Sequence, residues 1–160
     1  MVNRIEHLAV DFRKAIEKTI ENRELDYKCF SWFYDFPSGC CGNISELLAR
    51  YLLENGIKTS YICGTYRDGS FEDMHSHAWL VYENDVIVDI TGDQFKYNSL
   101  FLNYDKSVYV GYENCFYRLF DIDDTDCCKY SSIEKWNEIH EQNYFSLELY
   151  SKIIKNIDCN

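Results

Sequence analysis

The chain has 160 residues and a formal net charge of -11, so it lacks the clustered Lys and Arg that nucleic acids or anionic lipids require of a partner. This length allows a core large enough to fold without metals or disulfides, and the 14 tyrosines, 10 phenylalanines and single proline indicate a globular chain. We therefore expect one domain over residues 1–160, with no nucleic-acid partner, no membrane partner and no cofactor.

The N-terminal segment MVNRIEHLAVDFRKAIE carries charges throughout, whereas a signal peptide needs an uninterrupted apolar stretch. No apolar run approaches the roughly 18 residues that a membrane-spanning helix needs. The sequence therefore predicts a cytoplasmic protein, unless a specialised export system carries it out. Its eight cysteines are then expected to be reduced and mostly buried as small apolar side chains.

Two helices are predicted in the first third of the chain. Apolar residues at helical spacing over residues 2–22 predict an amphipathic helix, whereas the aromatic segment 27–39 (YKCFSWFYDFPSG) is expected to be irregular. The turn Pro37-Ser38-Gly39 precedes a second helix, which Gly56 is placed to end. Cys41 falls at or just before the first turn of that helix.

The pattern changes to that of strands after residue 58. TSYICGTY (59–66) predicts one strand, and residues 77–91 predict two strands joined by a polar turn around Glu83, Asn84 and Asp85. KSVYVGY and CFYRLFDI predict two more strands. A capping box at residues 131–134 opens a long, broken C-terminal helix, in which His140 is expected to be exposed. The order of elements predicts an α+β fold.

Cys41 has the context of a reactive thiol. A helix N-terminus presents unpaired N–H groups and the positive end of the helix dipole, and both stabilise a thiolate. The same N–H groups can hold the oxyanion that forms when the thiolate attacks a carbonyl. Gly39 and Gly42 would let backbone and substrate approach closely.

His77 and Asp89 lie on the two strands predicted from residues 77–91. A histidine at a strand start can reach a helix N-terminus on the same sheet and share the thiol proton. With the turn centred near residue 84, position 77 faces position 90 or 91, which brings Asp89 within reach of the His77 ring. A carboxylate between Val and Ile needs a polar partner, and an imidazole N–H provides one. Strands disfavour Asp, so Asp89 is the most informative of the three residues.

The segments GCCGNISELLARYLLENGI and HAWLVYENDVIVDITGDQF together resemble the catalytic core of the transglutaminase-like branch of the papain-like cysteine enzymes, in a small bacterial-type form. The family pattern is Gly-x-Cys-Gly-x-x-[Ala/Ser] entering a helix, then a strand opening with His-Ala-Trp, then a strand with Asp before a hydrophobic residue and Thr. The match covers about residues 36–95. The resemblance implies a papain/transglutaminase-like core, in which the nucleophile's helix packs on an antiparallel sheet between N- and C-terminal helices.

The resemblance also implies the role of each residue. Cys41 would be the nucleophile, His77 the general base and Asp89 the carboxylate that orients the ring. Gly42 and Ser45 follow Cys41 as the pattern requires, whereas Cys40 is expected to be a packed neighbour. The implied reaction is attack on an amide of a protein or peptide through a thioester, as in peptidases, glutamine deamidases and transglutaminases. Water is the most available acceptor, so hydrolysis is the default outcome.

The sequence departs from the papain pattern at the oxyanion hole. Papain-type enzymes have a Gln upstream of the cysteine, but the first Gln in this chain is Gln94. The second donor could come from Trp32, Tyr34 or Asn43, and Gln94 could line the cleft; the sequence does not choose among them. The calcium-binding parts of animal transglutaminases are missing, so no calcium dependence is implied.

Two other functions remain open at this point. The same fold could be a binding module without catalysis, its three residues misaligned. Alternatively, the His-x-His spacing of His75 and His77 puts both rings on one face of a strand, where a metal could bind with Cys40 or Cys41 and an Asp as further ligands. No second pair of ligands is evident in the sequence, which favours the enzyme.

Overall fold

The computed structural model describes residues 1–67, 75–83, 85–122, 124–140 and 144–157. Its helices and strands follow in the order α1 (Val2–Glu21), α2 (Tyr27–Tyr34), α3 (Cys41–Glu54), β1 (Thr59–Tyr66), β2 (Ser76–Tyr82), β3 (Val86–Asp89), β4 (Tyr109–Tyr112), β5 (Phe120–Ile122), β6 (Cys128–Tyr130), α4 (Ile133–His140) and α5 (Tyr144–Lys155). Short 3-10 helices lie at Gly92–Phe95, Ser99–Phe101, Tyr117–Leu119 and Asp124–Asp126. The predicted α+β fold with an antiparallel sheet is confirmed.

The sheet is antiparallel, and β1 lies in its interior. The strand order is β4-β3-β2-β1-β5, and β6 also pairs with β1. The free edge of β1 is shared along its length, since β6 pairs with Thr59–Tyr61 and β5 with Gly64–Tyr66. The predicted strands at 59–66 and on either side of the turn near residue 84 are confirmed, although Asn84 itself lies outside the described residues.

Each face of the sheet is covered by its own apolar cluster. On one face, Leu80 and Val88 pack with apolar residues of α1, α3 and α5. On the other face, Trp79 and Ile87 pack with aromatic residues from the 3-10 segments and β5, namely Phe95, Phe101, Phe116, Tyr117 and Phe120. Alternate residues of β2 and β3 therefore enter opposite clusters, as the two-residue period of a strand requires.

The aromatic segment 27–39 is helical over residues 27–34 apart from a kink at Phe30, so the expectation of an irregular segment was wrong over most of that range. Asp26 caps α2, because its side chain accepts a hydrogen bond from the Lys28 backbone N–H. Phe30 and Phe33 pack into the apolar cluster between the sheet and the helices, which we call the helix-side cluster. Packing of this aromatic stripe outweighs the modest helix propensity of its residues.

The C-terminal region differs from the prediction in two ways. Strand β6 was not predicted, because three residues carry too little periodicity to identify a strand. His140 is 6 % exposed rather than exposed: its ring lies 4.1 Å from that of Trp136, and its Nδ1 lies 3.9 Å from a carboxylate oxygen of Glu46. Burial raises the pKa of Glu46 to about 7.

The predicted C-terminal helix is described in two parts, α4 and α5, and residues 141–143 between them lie outside the described residues. The start of α4 is capped by Ser132, whose hydroxyl accepts from the Lys135 N–H at 3.2 Å. Within the described residues, no helix combines the length and the apolar character needed to cross a bilayer.

Candidate active site

Cys41 is the first residue of α3, and its sulfur points towards the sheet. Gly39 adopts a φ of +70°, a left-handed conformation that glycine adopts without strain, and so turns the chain into the helix. The Cys41 sulfur accepts a hydrogen bond from the Ala78 backbone N–H and hydrogen-bonds with the His77 ring. One turn further along α3, the Ser45 hydroxyl donates to the Ala78 carbonyl at 3.2 Å. Helix α3 thus binds both polar groups of the Ala78 backbone.

The two adjacent cysteines have opposite environments. Cys40 is 2 % exposed, and its thiol lies 3.3 Å from the Pro37 carbonyl. Burial, with the neighbouring thiol of Cys41, raises the pKa of Cys40 to about 12. Burial also opposes ionisation of Cys41, but the His77 ring and the Ala78 N–H outweigh it and hold the pKa of Cys41 below that of an ordinary thiol. Cys41 is therefore the thiol suited to act as a nucleophile.

The His77 and Asp89 side chains meet as the predicted strand pairing requires. β2 and β3 pair Leu80 with Val88, and continuation of that register places Thr91 opposite His77. Asp89 is two residues from Thr91 and so shares its face of the sheet. His77 Nε2 lies 2.8 Å from Asp89 Oδ2, with both side chains at most 1 % exposed.

Asp89 is held by donors on both carboxylate oxygens. The backbone N–H of Thr91 donates to Oδ1 at 2.8 Å and its hydroxyl at 3.1 Å, while the Tyr117 hydroxyl donates to Oδ2 at 3.0 Å. Burial opposes the carboxylate, but the His77 ring and then these donors hold the pKa of Asp89 below its usual range. Asp89 is thus a charged acceptor that keeps a proton on Nε2 of the ring.

The His77 ring is fully buried among aromatic side chains. Four rings lie within 6 Å of it, those of Trp79, Phe95, Phe116 and Phe120. Trp79 packs beside the histidine, with 5.6 Å between the ring centroids. Burial disfavours the imidazolium, but the Asp89 carboxylate and Cys41 outweigh it and raise the pKa of His77 to about 9. A lowered thiol pKa and a raised imidazole pKa together favour a thiolate–imidazolium pair at neutral pH.

Gln94 occupies the remaining nitrogen of the same ring. Its Nε2 lies 3.1 Å from His77 Nδ1 and donates to the Thr91 carbonyl at 3.0 Å. The carbonyl can only accept, so it fixes the amine end of the amide towards the ring. Gln94 therefore contacts the His77 ring directly.

Arg13, on α1, binds the residues that directly precede Gln94. Its guanidinium makes two hydrogen bonds to Asp93, at 2.9 and 3.0 Å, and donates to the Ile90 carbonyl at 2.7 Å. It also lies 4.3 Å from the centroid of the Phe36 ring, in the segment that leads to Cys41. Asp93 is therefore bound to Arg13, while its neighbour Gln94 faces His77.

A small cleft opens at the Cys41 sulfur. It has a volume of about 220 Å³ and is lined by Gly39, Cys41, Gly42, Asn43, Tyr61, Cys63, Ser76, His77 and Ala78. None of these lining residues is an Asp, Glu, Lys or Arg. Of the four oxyanion and cleft candidates from the sequence, only Asn43 is in this lining.

Trp32 and Tyr34 are not among the residues that line this cleft. Trp32 packs against the helix-side cluster and edge-to-face with Phe33, at 6.0 Å between centroids. Tyr34 donates to the Leu25 carbonyl at 2.8 Å and lines a different cavity, with Arg23, Leu25 and Tyr27. Neither residue is in the lining of the cleft at Cys41, so the structure gives no support to either as the second donor.

The described part of the chain offers little for a metal. None of its groups of His, Cys, Asp and Glu brings three such residues together as ligands. His77 has polar partners at both ring nitrogens, and the exposed ring of His75 packs edge-to-face with Phe101 at 5.3 Å between centroids. The His-x-His spacing thus does not place two histidines at one vacant position.

Sequence reasoning missed several residues that organise the site. Tyr117 and Arg13 are 28 and 80 positions from the residues they bind, Asp89 and Asp93, so no local pattern links them. The Thr91 contact had a signal, since Thr belongs to the family pattern around the Asp. Tyr61, on β1, was read only as part of a strand.

No protein-family model matches the chain, and no curated protein or solved structure matches it either. The resemblance to transglutaminase-like enzymes therefore rests on the motifs around Cys41, His77 and Asp89 and on the arrangement of these side chains.

Proposed function

We propose that the protein is a cysteine enzyme of the transglutaminase-like and papain-like type, which attacks amide bonds through a thioester intermediate. One observation carries the proposal: the His77 ring contacts Asp89 through Nε2 at 2.8 Å and the Cys41 thiol at the start of α3. A nucleophile, a base and a residue that orients the base are the parts that such catalysis needs. The α3 helix on an antiparallel sheet agrees with a papain/transglutaminase-like core.

The reaction follows from the charges of the site. The Cys41 thiolate attacks the amide carbon, and the carbonyl electrons move to oxygen. The N–H groups at the start of α3 face the developing oxyanion. His77, with a pKa raised to about 9, is protonated at neutral pH and gives its proton to the departing nitrogen, leaving the thioester. Asp89 stabilises the imidazolium throughout.

The thioester is then resolved by an acceptor. Water gives hydrolysis, as in a peptidase or a deamidase, and an amine gives transamidation. We propose hydrolysis, because the cleft opens to solvent and its described lining contains no Asp or Glu side chain to recruit an amine. At about 220 Å³ the cleft is smaller than a typical ligand pocket, so it would take one reacting group of a peptide or protein whose remainder stays outside.

A thiol-directed activity probe tests the nucleophile. Wild-type protein and Cys40→Ala should be labelled at Cys41, whereas Cys41→Ala should lose labelling. Cys40 is the matched control, because it is the neighbouring thiol and its pKa is raised to about 12. Equal labelling of the two variants would contradict the assignment, and an ordinary Cys41 pKa near ~8.5 would favour the non-catalytic binding module.

Product analysis then distinguishes the reactions. A glutamine-containing peptide is incubated with the protein, and ammonia, new peptide termini and incorporation of a primary amine are measured in parallel. Ammonia release without amine incorporation indicates a deamidase, and new termini indicate a peptidase. Each activity should disappear in Cys41→Ala and in His77→Ala.

A further inference from the structure

A second donor for the oxyanion can come from the described side chains that line the cleft at Cys41. The Cys41 N–H supplies one hydrogen bond, and enzymes that pass through a tetrahedral oxyanion generally provide a further fixed donor. Three side chains in the lining end in an N–H or O–H group able to do this, those of Asn43, Tyr61 and Ser76. They differ in how firmly the fold holds them.

Tyr61 comes from the interior of the sheet. It lies on β1 opposite Leu80 of β2, and two residues further along, Cys63 lies opposite Ala78, whose N–H binds the Cys41 sulfur. The Tyr61 ring is half-buried and packs against the helix-side cluster. Its backbone is paired on both edges, to β2 and to β6. Tyr61 is therefore held at its backbone by the two neighbouring strands and at its ring by the helix-side cluster.

The Tyr61 hydroxyl reaches the first turn of α3. A methyl group built on Gly42 would lie 3.1 Å from the Tyr61 oxygen, closer than side-chain carbons normally approach. The hydroxyl thus lies against the residue that directly follows the nucleophile, and Gly42 leaves room for it. Asn43 and Ser76 are exposed, so ordering either side chain would cost conformational entropy at each turnover.

We propose that Tyr61 is a catalytic residue, whose hydroxyl donates the second hydrogen bond to the oxyanion formed on Cys41. This inference rests on the proposed function. The S–C bond forms as the carbonyl π bond breaks, and the oxygen carries the resulting negative charge between the Cys41 N–H and the Tyr61 O–H. The π bond re-forms as the leaving group departs with the bonding electrons, and the Tyr61 proton stays on Tyr61. Tyr61 acts as a donor only, so no net proton transfer is required of it.

Two reagents separate this role from the nucleophilicity of the thiol. Iodoacetamide alkylates Cys41 by displacing iodide from carbon, and no oxyanion forms. p-Nitrophenyl acetate acylates the same sulfur through a tetrahedral oxyanion and releases p-nitrophenolate. Tyr61→Phe keeps the ring and removes only the hydroxyl. We expect its acylation rate to fall about 100-fold, the usual effect of losing one oxyanion donor, while its alkylation rate stays within about twofold of wild type.

Three further variants sharpen the test. Gly42→Ala should show the same selective loss, because its methyl group displaces the hydroxyl. Tyr97→Phe, at a residue 90 % exposed, is the matched control and should leave both rates unchanged. Tyr34→Phe tests the donor suggested by the sequence, and a selective loss there rather than in Tyr61→Phe would overturn the inference.

The remaining outcomes are distinguishable. Unchanged acylation in Tyr61→Phe, or equal losses with both reagents, overturns the role of Tyr61 and leaves the reactive thiol standing. If wild-type Cys41 reacts with either reagent no faster than free cysteine at the same pH, both the inference and the proposed function are overturned.

Discussion

Gln94 Nε2 lies 3.1 Å from His77 Nδ1, the ring nitrogen that remains after Nε2 has bound Asp89. The Cys41 thiol hydrogen-bonds the same ring. A neutral Nδ1 has one lone pair, so the amide of Gln94 and the thiol of Cys41 compete for it. Once Nδ1 is protonated, the amide N–H groups face another donor, which disfavours the imidazolium. Gln94 therefore restrains ionisation of the thiol in the resting protein.

Removal of that amide should make the thiol more acidic. In Gln94→Ala we expect the pKa of Cys41 to fall by about half a unit to one unit, the equivalent of one hydrogen bond of about 1 kcal/mol. The pH dependence of the iodoacetamide alkylation rate measures this pKa. Asn137→Ala, an exposed amide on α4, is the control and should not shift the profile. A higher Cys41 pKa in Gln94→Ala would show that the amide supports the imidazolium instead.

Loss of the Asp89 charge should have the opposite effect. In Asp89→Asn, only Cys41 would oppose the effect of burial on His77, so the His77 pKa should fall and the thiolate should lose its charged partner. We expect the alkylation rate at pH 7 to drop at least about tenfold, with the profile moving towards that of an ordinary thiol near ~8.5. Asp105→Asn changes an exposed aspartate and serves as the control. An unchanged profile would mean that Asp89 does not act on the thiol through His77.

The Arg13–Asp93 ion pair should contribute measurably to stability. The side chains are only 9 % and 18 % exposed, so Arg13→Met would leave a largely buried carboxylate without its partner. We expect a loss of about 3 kcal/mol in the free energy of unfolding, measured by denaturant titration, and a partial recovery in Arg13→Met/Asp93→Leu. Arg118→Met breaks an exposed pair with Glu113 that water and salt screen, so it should cost much less. Equal losses at the two sites would contradict the importance of burial.

Glu46 predicts a dependence of stability on pH. Burial raises the pKa of its carboxyl from the ordinary value to about 7, so the folded protein binds this proton more tightly than the unfolded chain does. The resulting stabilisation is complete below the unfolded pKa of about 4.5 and is lost as pH rises through about 7.

Glu46→Gln should remove that dependence. The variant should be more stable than wild type at pH 8, by on the order of 1–3 kcal/mol, and close to wild type at pH 5. The same substitution at Glu138, whose side chain is 68 % exposed, is the control. Denaturant unfolding at the two pH values measures the difference, and identical pH profiles for Glu46→Gln and wild type would contradict the prediction.

Local patterns predicted the parts of the fold in which neighbouring residues determine the structure. The spacing of apolar residues predicted α1, α3 and β1. The predicted pairing across residue 84 placed Asp89 within reach of His77. Gly42 and Ser45, which follow Cys41 at the positions that the family pattern requires, distinguished Cys41 from Cys40. These features depend on contacts within one helix or one hairpin.

The features that the sequence did not predict depend on contacts between residues that are far apart in the chain. Helix α2 is stabilised by burial of Phe30 and Phe33 in a core built from other elements, and β6 exists only because β1 has a free edge to pair. Arg13 and Tyr117 reach the site from other parts of the chain. Tyr34 was a reasonable donor by proximity in sequence to Cys41, but the α2 helix directs its hydroxyl to the Leu25 carbonyl.

The contacts between α3 and the backbone of Ala78 affect how the Cys41 and His77 side chains move relative to each other. Cys41 and Ser45, one helical turn apart, hold the N–H and the carbonyl of the residue that directly follows His77. The Cys41 and His77 side chains are therefore held relative to one another through the backbone of one residue, Ala78. When the helices and the sheet shift relative to each other, we expect the Cys41 sulfur and the His77 ring to move together and keep their alignment.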